Sequence, residues 1–134
     1  MSTRVVIAGG GTGGHLYPGI ALAKALMEHD NTIEITFVGT ERGLESRVLP
    51  REGFALKTIS SGGLVVKRGL NRLSSLAKLP LGVLQALGFL IRQRPALAVG
   101  VGGYVSGPLL AAACLLRIPT LIHEQNAFPG VTNR

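Results

Sequence analysis

The chain has 134 residues, with 19 Gly, one Cys, no Trp and 46% hydrophobic residues; that suits one compact domain with an aliphatic core and excludes a disordered segment. The single Cys excludes an internal disulfide framework and a Cys-based metal cluster, and within the run LLAAACLL it reads as a buried, inert thiol of a reducing compartment. The formal charge is +7, and residues 53–123 carry Lys57, Lys67, Arg68, Arg72, Lys78, Arg92, Arg94 and Arg117 with no acid, which points either to an anionic partner or to a solvated basic face.

In chain order, residues 4–8 are a β-branched apolar run that ends in glycines and predicts a buried strand. Pro18 suits the first turn of a helix, and Ile20, Ala23, Leu26 and Met27 recur at helical spacing as far as His29. Residues 33–38 predict a second strand, 39–43 its loop, 44–51 a short helix and 54–59 a third strand. After a loop at 60–63, a helix is predicted over residues 71–93 with a break at Pro80. Residues 97–101 predict a fourth strand, 108–116 a helix and 120–122 a fifth strand. Residues 95–116 carry no charge over 22 positions, but the glycines and Pro108 near their middle favour strand, loop and helix over a membrane span. The N-terminus enters RVVIA with no separate charged region and cleavage site, so no signal peptide is expected. Apolar strands separated by helices predict the α/β class, a doubly wound parallel sheet whose ligands sit beyond the carboxyl ends of the strands.

The chemically unusual residues fall at those ends. The first strand runs into GGGTGGH, a glycine loop followed by a helix; its backbone can bend sharply and present N–H groups, with the helix's positive end, to an anion. The segment matches G-x-G-x-x-G, but the second strand lacks the terminal acid that a dinucleotide ribose needs. It also lacks the Lys and Ser/Thr of a P-loop, so plain tight-turn geometry stays open beside phosphate binding. His15 is a candidate general base, because the positive end of a helix favours a neutral imidazole; a structural histidine is the alternative. Gly102, Gly103, Tyr104 and Ser106 repeat the arrangement after the fourth strand, which suggests a ligand with more than one phosphate or two ligands that meet. His123, Glu124, Gln125 and Asn126 follow the fifth strand as a mixed donor–acceptor set suited to sugar recognition, with no further ligand spacing that supports a metal.

Residues 64–92 carry two apolar stripes at helical spacing. Leu73, Leu76, Ala77, Leu84, Leu87 and Ile91 are assigned to the core, and Leu79, Val83, Ala86 and Leu90 to a second face. With Lys67, Arg68, Arg72 and Lys78 at its rim, that second face fits either an anionic lipid surface or another domain. Nucleic acid fits less well, since aromatics are only 4% and the cations flank aliphatics rather than stacking rings.

Together GGGTGGHLYPGIALAKAL, GGYVSGP and HEQNAFPGVTNR resemble the bacterial MurG family, three motifs in order that span the chain. The resemblance implies one Rossmann-like half of a GT-B glycosyltransferase: residues 1–134 as the N-terminal, acceptor-side and membrane-associating domain, with a donor-binding domain absent from this chain. It implies inverting transfer of GlcNAc from UDP-GlcNAc to the C4 hydroxyl of MurNAc in lipid I, giving lipid II, with no cofactor and no metal. His15 falls on the family's candidate base, and Thr12, Gly13, Gly14 and Asn126 on positions that approach the donor. Gly11, Gly102, Gly103, Tyr104, Ser106, His123, Glu124 and Gln125 fall on acceptor or diphosphate positions. The basic-rimmed patch matches a surface resting on the cytoplasmic face of the bacterial cell membrane. A stand-alone nucleotide-binding module and a peripheral membrane scaffold are the alternatives.

Overall fold

A computed structural model describes residues 2–60 and 71–134, with only the backbone described for residues 71–79. The elements alternate: β1 (Thr3–Ala8), α1 (Gly13–His29), β2 (Ile33–Gly39), α2 (Glu45–Arg51), β3 (Ala55–Thr58), α3 (Asn71–Gln93), β4 (Leu97–Gly100), α4 (Ser106–Leu115) and β5 (Thr120–Ile122). Every pairing is parallel, in the order β3-β2-β1-β4-β5. β1 is central, and its last residue Ala8 pairs with Val38 on one side and Gly100 on the other. The connections diverge between β1 and β4, so the carboxyl ends of these two strands border the topological switch crevice.

Alternation along β1 divides the core between the two sheet faces. Val5 and Ile7 pack with Leu16, Ile20, Ala23, Phe37 and Leu49 beneath α1 and α2. Val6 and Ala8 pack with Ala86, Phe89, Leu90, Leu109 and Ala112 beneath α3 and α4. Both faces are covered, which is why these strands read as nearly continuous apolar runs. Among the described residues, no helix is long and apolar enough to cross a membrane.

Four local expectations change. Helix α1 begins at Gly13, five residues before Pro18, with extended Thr12 as its cap residue. Helix α4 begins at Ser106, two residues before Pro108. Helix α3 runs unbroken through Pro80, which lies on an exposed position where water can replace the ladder bond that proline removes. Cys114 is exposed, because the LLAAACLL run is apolar around its whole circumference and only one side meets the sheet.

The two stripes of α3 are only partly placed as expected: Leu87, assigned to the core, does pack against it, and the side chains of Leu73, Leu76 and Ala77 lie outside the described residues. Ala86 and Leu90 are 0% and 1% exposed and belong to the core, with Val83 half-buried against it. Leu84 and Ile91, assigned to the core, are instead exposed, together with Leu81. The selector is tertiary: a Cβ on Gly82 would collide with the Ser60 carbonyl and stand 3.6 Å from Pro108, so this side of α3 closes on α4 and the β3 loop. Lys67 and Arg68 lie outside the described residues, as do the side chains of Arg72, Lys78 and Leu79.

Candidate functional site

The two glycine loops interlock at the β1–β4 crevice. Gly10 and Gly11 have φ +146° and +84°, and Gly102 and Gly103 have φ +106° and +88°, conformations that side-chain-bearing residues rarely adopt. A Cβ on Gly103 would stand 2.7 Å from the Gly10 carbonyl oxygen, so each loop occupies the space that a side chain on the other would need. A Cβ on Gly102 would stand 3.0 Å from His15 Nε2, which places the imidazole edge against the second loop. His15 Nδ1 lies 3.1 Å from Thr12 Oγ1, and the His15 backbone N–H donates to the Thr12 carbonyl at 3.2 Å. If Nδ1 carries the proton and donates to the hydroxyl, Nε2 keeps a lone pair toward the crevice.

The loop after β5 docks onto the same place. The His123 N–H continues the ladder to the Gly100 carbonyl at 2.8 Å, while its side chain is exposed. Gln125 Nε2 donates to the Gly14 carbonyl at 2.6 Å. That carbonyl is free because its helical partner would be residue 18, a proline without an N–H. The Gln125 Oε1 atom is buried without a hydrogen-bond partner among the described residues.

Glu124 organises the loop from inside. Its Oε1 accepts the backbone N–H and side-chain Nδ2 of Asn126, both at 3.0 Å; its Oε2 accepts Gly130 N–H and Asn133 Nδ2, both at 3.1 Å. The Asn126 and Gly130 backbone N–H groups, helped by Asn133 and the Asn126 side chain, hold the carboxyl down from 4.5 to about 2. Both oxygens are thus committed to the loop, and the acceptor contact expected of Glu124 gives way to this internal role. A depressed carboxyl contributes stability that is complete above its unfolded value and disappears as pH falls from about 4.5 toward 2. Amide exchange at Gly130 and Asn126 is therefore expected to accelerate across that window at a temperature where β1 amides stay protected. In Glu124→Gln the exchange should be fast already at neutral pH, and equal protection in both proteins would refute the role.

Two other expected ligand positions are occupied internally. Ser106 is 0% exposed; its hydroxyl accepts the Gly102 N–H at 3.2 Å and lies 2.9 Å from the Ala8 and 3.1 Å from the Gly102 carbonyl oxygens. It ties the second loop to β1 and does not reach the crevice, a consequence of α4 starting before Pro108. The Gly11 N–H donates to Glu45 Oε2 at 2.8 Å, so that amide is not open to a diphosphate. Glu45 escaped the sequence reading, although the spacing GTERGLE, with glycines at 39 and 43, was its visible trace.

Among the described residues the Gly13 and Gly14 N–H groups have no acceptor, as expected for the first turn of a helix. A cleft of about 460 Å³ opens on the β2 and β3 side of the first loop, lined by Gly10, Gly11, Thr40, Arg42, Gln85 and Tyr104. Tyr104, 42% exposed, reaches this cleft from the second loop, whereas His15 is not in its lining. A second groove of about 450 Å³ between β3 and α3 is bordered by Lys57, Leu84, Phe89 and Arg92.

Comparison with known proteins places the chain in a family. The family described as "Glycosyltransferase family 28 N-terminal domain" matches residues 5–134. A UDP-N-acetylglucosamine–N-acetylmuramyl-(pentapeptide) pyrophosphoryl-undecaprenol N-acetylglucosamine transferase of Bdellovibrio bacteriovorus is 52% identical over 134 residues, all of this chain and 38% of that protein. The protein of the same name from Myxococcus xanthus is 53% identical over 131 residues, 98% of this chain and 34% of its own length. The crystal structure of Acinetobacter baumannii MurG superposes with a TM-score of 0.80 at 33% identity, covering 98% of this chain and 36% of that one. The chain thus spans little more than a third of the relatives it matches.

Proposed function

This chain belongs to the glycosyltransferase family 28 N-terminal domain family, and from that premise we propose that it is the acceptor-side half of a two-domain inverting transferase. The enzyme moves GlcNAc from UDP-GlcNAc to the C4 hydroxyl of MurNAc in lipid I and forms lipid II. The relatives' names supply the substrates, and their greater length leaves room for a donor-binding domain. The observation that carries the reading is His15, set between Thr12 and Gly102 at the switch crevice.

In this mechanism Nε2 of His15 takes the proton of the C4 hydroxyl as O4 attacks C1 of GlcNAc. The O4–C1 bond forms on the face opposite the leaving group. The C1–O bond to the β-phosphate breaks, and its electron pair leaves with UDP. Thr12 holds the opposite ring nitrogen, and the open Gly13 and Gly14 amides at the positive end of α1 face the diphosphate charge. Gly103 completes the diphosphate seat from the second loop, and Tyr104, His123 and Asn126 border the sugars. Gly11, Gly102, Ser106, Glu124 and Gln125 drop out of direct contact, since their polar groups are bonded or buried within the protein.

The enzyme rests on the cytoplasmic leaflet through α3, whose outward apolar face is Leu81, Leu84 and Ile91 rather than Val83, Ala86 and Leu90. Lys57 and Arg92 border Leu84 of that face as exposed cations, and the exposed Arg94 follows the end of α3. The acceptor-side assignment is tested by titrating this chain separately with a soluble short-chain lipid I analogue, UDP-GlcNAc and NAD. Binding of the analogue, with weak or absent heat for both nucleotides, is expected. Tight NAD binding would instead establish a nucleotide-binding module.

A further inference from the structure

Glu45 is 0% exposed, and among the described residues it is the one fully buried ionisable side chain. Its partners there are donors rather than cations: Oε2 accepts Gly11 N–H at 2.8 Å, and Oε1 accepts Thr40 N–H at 2.7 Å and Thr40 Oγ1–H at 2.9 Å. The Thr40 hydroxyl in turn accepts Gly43 N–H at 3.1 Å. Space for the carboxylate comes from three glycines, since a Cβ on Gly10, Gly39 or Gly43 would each collide with it.

A buried carboxylate is costly to desolvate, and well-packed apolar side chains commonly hold a core as well or better. Here the carboxylate bridges the β2–α2 loop to Gly11, whose φ is +84° and whose next residue is Thr12. Thr12 starts α1 and meets His15 Nδ1, so one chain of contacts runs from Glu45 through Gly11 and Thr12 to His15. We propose that Glu45 is a positioning residue for the transfer reaction, holding the first glycine loop in the shape that aims His15 at the acceptor hydroxyl. The proposal rests on the functional reading above.

The test uses the two-domain enzyme carrying this chain. In Glu45→Gln one carboxylate oxygen becomes an NH₂ donor, so either Gly11 or Thr40 loses its acceptor. With the loop shifted, kcat is expected to fall on the order of 100-fold while KM for UDP-GlcNAc stays near wild type, as for loss of near-attack geometry. Hydrogen exchange at Gly11 should accelerate in the same variant. Leu49→Ala, a cavity in the same helix at a buried core position outside both glycine loops, should lower Tm and leave kcat unchanged at a temperature where it is folded. If Glu45→Gln does not fold, Thr40→Val removes one bond to the carboxylate and is expected to lower kcat by about tenfold, the worth of one charge-assisted hydrogen bond. A folded Glu45→Gln enzyme with wild-type kcat, or Thr40→Val with wild-type kcat where the first does not fold, overturns the proposal while His15→Ala stays slower than wild type by about 10²-fold or more. If His15→Ala turns over as fast as wild type, the assignment of His15 as base, on which the proposal rests, has failed instead. Unchanged Gly11 exchange in Glu45→Gln would then reject the loop-holding role as well.

Discussion

In a two-domain enzyme that carries this chain, His15→Ala is expected to lower kcat by about 10²- to 10⁴-fold, the usual worth of a positioned general base, with KM for UDP-GlcNAc near wild type. The C4 hydroxyl of a sugar is a poor nucleophile until its proton has somewhere to go. His15 is the imidazole placed at the crevice, with one nitrogen 3.1 Å from Thr12 Oγ1 and the other edge against Gly102. Removing the ring takes away the proton acceptor but leaves both glycine loops and the α1 N-terminus to bind phosphate charge. The effect should therefore fall on turnover rather than on donor binding. Steady-state kinetics with both substrates varied separates the two, and unchanged turnover would remove His15 from the chemistry.

The parallel sheet and its strand-end loops were legible because each strand is a short apolar run bounded by glycine or proline, and each loop's unusual residues stand out against that background. The order of the strands was not read from the sequence, because the doubly wound rule allows more than one; the structure puts β1 at the centre of β3-β2-β1-β4-β5. What periodicity did not decide was which of two apolar faces of α3 turns inward. Gly82 and Ala86, four residues apart, let that side approach α4 and the β3 loop, and small residues leave almost no trace in a hydrophobicity pattern. The Ser106 hydroxyl reads as a ligand group in sequence because its burial depends on a helix start shifted by two residues. Glu45 was hidden among charged neighbours in GTERGLE, where an exposed helix start is the ordinary reading. Pro18, by contrast, carried more than its helix-starting signal, since the carbonyl it frees at Gly14 is what Gln125 grips.

The second large effect concerns the other wall of the proposed two-domain cleft. This chain presents one wall: the glycine loops, His15 and the β5 loop all lie at the carboxyl edge of a single sheet. Holding the donor's C1 against the acceptor oxygen from one wall forfeits most of the roughly 7–11 kcal/mol that orientation can contribute. Water would also stay in the crevice. Transfer by the 134-residue chain alone is therefore expected to be undetectable. The decisive measurement supplies labelled UDP-GlcNAc and lipid I in vesicles to this chain alone and to the same chain continued through a donor-binding domain. Labelled lipid II should form only with the continued polypeptide. Lipid II made by the chain alone, or none made by a continued polypeptide that is folded and binds UDP-GlcNAc, would contradict the account.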